Sequence, residues 1–306
     1  MKQNKFLITS KSIKKAVLST IAIGTIGVSS LSAHSLWINA FESFSHAPGH
    51  TTVGLGWGHS LPIDDILNSA NGKVIVENFE IISPNGKVTK LKIPSSEEEK
   101  AQEENDNFDV YNADVALQKV ALKKDSQKGV YKIKAKSKST FYTQYIDSKD
   151  RTRLKLTTMD KIKDIKKVLM SVKYEAFATS YLTLGKWEEQ QATNKGLEII
   201  PKSDLSNVKV GDLVEFEVLF YGKPLNVSAK SMDYITAMSN TFGQNDGFSL
   251  MSYIKEGKAQ FRVQSAGQWM VSCNHKDTVS KDGNLKNLSG KVNYVFNGSS
   301  LTFNVK

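Results

Sequence analysis

Four of the five histidines in this chain, His34, His46, His50 and His59, fall within 26 residues. Imidazole is the commonest metal-binding side chain near neutral pH, and it binds as the neutral ring. A cluster of this density points to a transition metal, and all four residues are candidate ligands. Asp64 and Asp65 follow His59 closely. Such carboxylates either ligate an ion, orient an imidazole from behind, or cap a helix starting at Ile66-Leu67. Further on, Cys273-Asn274-His275 puts a thiol and an imidazole two residues apart, hence on one face of a strand. A thiolate there would favour softer ions, whereas a core cysteine beside a strand-end histidine accounts for the same pair.

What precedes His34 decides its chemistry. Lys2, Lys5, Lys11, Lys14 and Lys15 form a basic opening, residues 16–28 an apolar run, and Ser29-Ser30-Leu31-Ser32-Ala33 a small-residue close. Residues 1–33 therefore read as a secretory signal peptide, with an apolar run short of the roughly 20 residues a membrane helix needs. The expected location is the periplasm. Cleavage after Ala33 makes His34 the first residue, offering its amine and ring nitrogen as a chelating pair. Cleavage after Ser32 competes, and the extra residue would remove that chelate.

Composition narrows the function classes. Five leader lysines account for half of the formal +10, and the remaining charge is spread without a basic stripe or recognition pattern, so nucleic acid is not an expected partner. A single cysteine excludes an internal disulfide framework. Met232, Met238, Met251 and Met270 are scattered as core fillers, not clustered as copper ligands. There is no Gly-x-Ser-x-Gly elbow, no His-Glu-x-x-His and no phosphate-cradling loop, so a non-enzymatic protein is expected.

The elements that must position the histidines are strands. Period-two alternation marks residues 51–55, 73–77, 88–93, 130–135 and 171–176, separated by turn signals such as Asn71-Gly72 and Pro84-Asn85-Gly86. The lysines of 119–138 alternate with apolar residues as on the solvent face of strands. Helical candidates are confined to 94–104 and 159–169. After a polar break at 187–195, a second strand pattern runs through 197–201 and 213–221. It continues as a turn at Gly222-Lys223-Pro224-Leu225, a hairpin of 260–263 with 268–273, and a closing pair of 292–296 with 300–305. The expected fold is all-β: two β-sandwich domains, an N-terminal one over 34–187 carrying the histidines and an immunoglobulin-like one over 196–306, with the strand count of that fold in about 110 residues.

Several stretches together resemble the domain-of-unknown-function 4198 family. They are Ala33-His34-Ser35-Leu36-Trp37, Gly56-Trp57-Gly58-His59 with Pro62, Gly196-Leu197-Glu198-Ile199-Ile200-Pro201, Gly211-Asp212, Gly222-Lys223-Pro224-Leu225 and Gly267-Gln268-Trp269. The likeness spans nearly the whole chain after the leader. It implies an exported protein, and for some members an association with nickel or cobalt uptake through energy-coupling-factor membrane transporters. The His-x-Leu-Trp start and the Gly-His pair carry the metal implication. His46 and His50 belong to a His-Ala-Pro-Gly-His insert that maps onto none of these motifs.

Strands flanking a turn at 45–49 would pair as a hairpin and bring the mature chain start beside His59. Amine, His34 ring and His59 ring then form a nitrogen-rich site, which selects nickel(II) or copper(II) over magnesium or calcium, with cobalt also open. The expected function is capture of nickel or cobalt for a membrane transporter. The alternatives are a copper enzyme, because two imidazoles and an amine resemble the histidine brace of polysaccharide oxygenases, and a metal-free immunoglobulin-like binding or adhesion module. The processing site is directly checkable: the intact mass of protein recovered from a periplasm is expected to begin at His34, and a mass beginning at Ala33 would remove the amine chelate.

Overall fold

The computed structural model describes residues 34–68, 74–97, 100–226, 233–242 and 248–306. The leader call on 1–33 and the Asn71-Gly72 turn lie outside them. The protein is all-β, with no α-helix among the described residues. Alternating sequence becomes β1 (Ser35–Ala40), β2 (Phe44–Ser45), β3 (Gly49–Gly58), β4 (Val76–Ile82) and β5 (Val88–Lys90). Then come β6 (Glu103–Glu104), β7 (Asp109–Val110), β8 (Gln118–Leu122), β9 (Gly129–Ser137), β10 (Thr140–Ile146), β11 (Thr152–Lys155) and the long β12 (Lys167–Leu184). The remainder holds β13 (Leu197–Pro201), β14 (Leu213–Phe220), β15 (Lys223–Pro224), β16 (Tyr234–Ser239), β17 (Leu250–Tyr253), β18 (Lys258–Arg262), β19 (Gly267–Thr278) and β20 (Tyr294–Val305).

Residues 35–306 form one compact unit. Its spine is an eleven-stranded sheet whose main path runs β17-β16-β19-β20-β12-β9-β4-β5. Strands β12 and β20 pair in parallel from Val172 opposite Tyr294 to Ser180 opposite Thr302, so strands from both halves of the chain share this sheet. Among the described residues three smaller sheets lie outside it: β1-β3-β8, one built on β13, β14, β15 and β18, and the two-stranded β6-β7. Because side chains alternate across a strand, one strand serves two cores. Leu182 of β12 joins a core with Leu36, Ile38, Leu55, Trp57 and Ile133, whereas its neighbour Tyr181 joins another with Phe216, Phe261, Trp269 and Phe303. In the second core the Phe216 and Phe261 rings stack at 5.5 Å, and Phe261 stacks on Trp269 at 5.8 Å.

Several expected elements differ. The described residues of 94–104 are coil leading into β6, with the Ser95 N–H taken by the Asp114 carboxylate instead of by a helical partner. The expected 159–169 helix is one 3₁₀ turn at Met159–Lys161, followed by β12, where pairing with β10 and β20 overrides local propensity. No hairpin joins β18 to β19: β18 pairs with β14, while β19 pairs with β16 and β20. The expected closing pair is one continuous strand, β20. The turn after β14 centres on Tyr221 and Gly222, both at positive φ as a two-residue hairpin loop requires.

Strand β1 is fastened at both edges. The Phe41 N–H reaches the Thr52 carbonyl, which shows that odd-numbered residues of β1 face β3 and even-numbered ones face away. Those outward carbonyls are met by side chains of β20: Ser300 Oγ donates to Leu36 O at 2.6 Å, Thr302 Oγ1 to Ile38 O at 2.6 Å, and Asn304 Nδ2 to Ala40 O at 2.9 Å. Both hydroxyls are buried. Thr302→Val keeps the shape and strands the Ile38 carbonyl, so a loss of about 1–3 kcal/mol is expected. It should appear as a lower urea midpoint with an unchanged slope.

Candidate metal centre

The residues around His59 are positioned by the β1–β3 hairpin, whose register runs from Ser35 opposite Gly58 to Ala40 opposite Val53. Trp37 lies opposite Gly56, and a Cβ on that glycine would come within 2.1 Å of the indole, so only glycine admits the ring there. The indole Nε1 donates to Pro62 O at 3.2 Å and Asn39 Oδ1 at 3.1 Å. Asn39 Nδ2 donates to the same Pro62 carbonyl at 2.7 Å, and Gln268 Nε2 completes the set on Asn39 Oδ1 at 3.2 Å. Trp37, Asn39 and Gln268 are all buried. A fully satisfied buried network of this kind is stiff, and it pins the middle of the loop that follows β3.

The two ends of that loop are pinned separately. The Asp65 N–H donates to the Trp57 carbonyl at 3.0 Å. Asp64 Oδ2 accepts the His59 backbone N–H at 2.7 Å and lies 3.1 Å from His59 Nδ1. The carboxylate reaches this position because Gly58 sits at φ +125° with no side chain, where a Cβ would meet Asp64 Oδ2 at 2.5 Å. His59 is 52 % exposed and Asp64 36 %, so as an ion pair they add little stability. Their value is orientation: a carboxylate can only accept, so Nδ1 carries the proton and the lone pair of the neutral ring lies on Nε2. Of the roles open to Asp64 and Asp65, no helix forms at Ile66-Leu67, and Asp64 is the acceptor behind an imidazole.

His46 and His50 are elsewhere. Both are exposed, His46 with Nδ1 donating to Pro48 O at 2.7 Å and His50 near the start of β3 opposite Ala121. His59 follows the far end of the same strand. Eight steps of about 3.3 Å separate His50 from Gly58, about 26 Å, whereas ligands of one ion lie within a few ångströms of each other. The sequence cluster is thus spread over two ends of a hairpin. His34 precedes β1, whose first residue, Ser35, is the register partner of Gly58.

Cys273 and His275 do share one face of β19, but both point inward. Cys273 is packed in the second hydrophobic core, where burial pushes its thiol well above its ordinary range. His275 Nδ1 lies 2.8 Å from Asp233 Oδ1 and its ring packs 4.6 Å from Phe220. Among the described residues no three His, Cys, Asp or Glu side chains are gathered as a metal site. Sequence reading missed Asn39 and Gln268, which anchor the loop without touching the histidine. Gln268 had a signal in the Gly-Gln-Trp motif, whereas Asn39 lies outside the motifs, two residues after Trp37.

The model of a domain of unknown function, DUF4198, matches residues 31–277. No protein of curated function matches the sequence. Among solved structures, Escherichia coli alpha-2-macroglobulin activated by porcine elastase is similar at 10 % identity over 89 % of this chain and 20 % of that one, with a TM-score of 0.22. Salmonella alpha-2-macroglobulin reacted with methylamine gives 10 % identity over 89 % of this chain and 15 % of that chain, with a TM-score of 0.22. Murine CEACAM1b gives 11 % identity over 89 % of this chain and 100 % of its own, with a TM-score of 0.18. The chain therefore spans a fifth or less of the alpha-2-macroglobulins it matches.

Gly58→Ala tests the geometry of the loop. The added Cβ must displace the Asp64 carboxylate, and the positive φ adds strain of about 1–3 kcal/mol. The expected outcome is a lower melting temperature together with loss of the His59–Asp64 hydrogen bond, seen in the imidazole nitrogen chemical shifts. Unchanged shifts would show that Asp64 does not depend on the glycine notch.

Proposed function

The chain belongs to the DUF4198 family, and within it we propose that this protein is a periplasmic transition-metal-binding protein that captures nickel, or else cobalt, and passes it to a membrane transporter of the energy-coupling-factor type. The observation that carries the reading is the His59–Asp64 pair at the open end of a hairpin whose other strand begins one residue after His34. A carboxylate behind an imidazole fixes its tautomer and raises its basicity, as second partners of metal-binding histidines do. His34 supplies its ring and, once the leader is removed, its amine. Three nitrogen donors suit nickel(II) or copper(II). Exposure of His59 suits transfer of the ion to a partner, and no catalytic role is assigned.

In this reading the two hydrophobic cores belong to two β-sandwiches. The C-terminal one is immunoglobulin-like, a reading supported by β13, β14 and β16 to β20, which supply a strand count of that kind.

Nickel titration of processed protein by calorimetry and native mass spectrometry tests the site. His34→Ala combined with His59→Ala is expected to abolish tight binding with an unchanged circular dichroism spectrum. His46→Ala with His50→Ala is expected to leave that site intact. Asp64→Asn should weaken binding about 10–100-fold. Because all three donors bind unprotonated, affinity should fall as pH is lowered. Undiminished affinity in the His34/His59 double variant would refute the assignment, and selective uptake of copper would move the reading towards a copper brace.

A further inference from the structure

A second site lies on the opposite side of β9 from the first core. Along that strand Tyr131, Ile133 and Ala135 are buried in the core, while Lys132, Lys134 and Lys136 alternate with them on the other face. They are half-buried, not solvated, because they line a groove of about 430 Å³ between the long sheet and the start of β13. Lys173 and Glu175 of β12, Lys195 just before β13 and Glu198 within it complete its charged walls, with Glu80 directly across from Lys134 in the β4–β9 register. Phe177 floors the groove by packing on Gly196, where a Cβ would come within 2.3 Å of the ring.

The charges inside are unevenly matched. Glu175 is saturated by Lys173 at 2.8 Å, Lys136 at 3.2 Å and the Ser139 hydroxyl at 2.8 Å. Glu198 is occupied by the Thr193 hydroxyl at 2.6 Å and the Thr193 N–H at 3.0 Å. Lys132, Lys134 and Lys195 have no carboxylate within ion-pair distance among the described residues. Burial, then the neighbouring Lys134 charge, lower the Lys132 ammonium to about 8, against only partial support from Glu198. The Lys132 nitrogen also lies over the Tyr181 ring, 5.7 Å from its centroid. Lys195 is exposed, but Lys132 and Lys134 are half-buried with only the unpaired carboxylates of Glu80 and Glu198 nearby, an arrangement that is costly and that a bound anion relieves.

We propose that this groove binds a small anion carrying two or more negative charges on carboxylate or phosphate groups, held chiefly by Lys132 and Lys134. Its volume falls in the range of small-molecule sites, and the Phe177 floor accommodates an apolar body between the charged ends. The proposal uses none of the histidines and stands apart from the metal reading.

The test uses tricarballylate and pyrophosphate as probes, with calorimetry and with lysine side-chain NMR on protein carrying labelled lysines. Saturable binding of either probe is expected, together with a rise of at least one unit in the Lys132 titration when the site is filled. Binding by tricarballylate alone assigns carboxylates, and by pyrophosphate alone phosphates. Lys132→Met with Lys134→Met should weaken binding at least tenfold, while His34→Ala with His59→Ala should not change it. Lys132→Arg should keep the affinity but remove its decline as pH rises through about 8, a signature that a packing role for Lys132 would not produce. Failure of both probes to saturate, or equal binding by the double Met variant, would overturn the proposal.

Discussion

The interaction on which the rest depends is the row of hydrogen bonds that β20 side chains make to the outer edge of β1. A backbone edge buried without partners is costly, and β1 has a paired strand on one side only. Ser300, Thr302 and Asn304 recur every second residue, as do the carbonyls of Leu36, Ile38 and Ala40 that accept from them. The matched period lets side chains stand in for a neighbouring strand. The intervening residues Leu301, Phe303 and Val305 point the other way into the second core. One strand near the end of the chain therefore holds the first strand in place while closing a core on its opposite face.

That fastening is what gives the loop after β3 a fixed shape. Trp37 and Asn39 lie on β1, so holding β1 fixes the two donors that converge on the Pro62 carbonyl. Gln268 of β19, itself paired to β20, restrains Asn39 from the other side. The loop is pinned at its centre by this buried network and at its ends by Trp57 and Asp64, and His59 is held between. Exposed polar contacts contribute little energy on their own. The stiffness at His59 comes from buried groups that never touch it.

The long sheet shows the same economy on a larger scale. Parallel pairing of β12 with β20 makes strands from the two halves of the chain neighbours, and alternation along β9 and β12 lets each strand face both cores. Where β9 and β12 face the start of β13, the lysine row lines a groove instead of facing bulk water. Half-burial, and not the number of lysines, sets the amines that β9 and β12 place in this groove apart from the other basic residues among those described.

Much was legible without coordinates. Period-two patterning alone makes the chain all-β, because alternation is a local property of each segment. Pairing of the strands around 45–49, and the carboxylate behind His59, also follow from short sequence separations, although of the Asp64 roles left open only the structure selected one. Long-range pairing was not legible: the strand into which 159–169 leads, the separate sheets of β18 and β19, and the unbroken β20 are each decided by partners distant in the chain. The same limit applies to sites. Four histidines within 26 residues look like one cluster in sequence, but an extended strand carries its ends about 26 Å apart, so only tertiary structure separates His46 and His50 from His59. Alternating lysines look like a solvent face until a distant segment covers them, since local pattern sets which way a side chain points and only the packed fold decides what it meets.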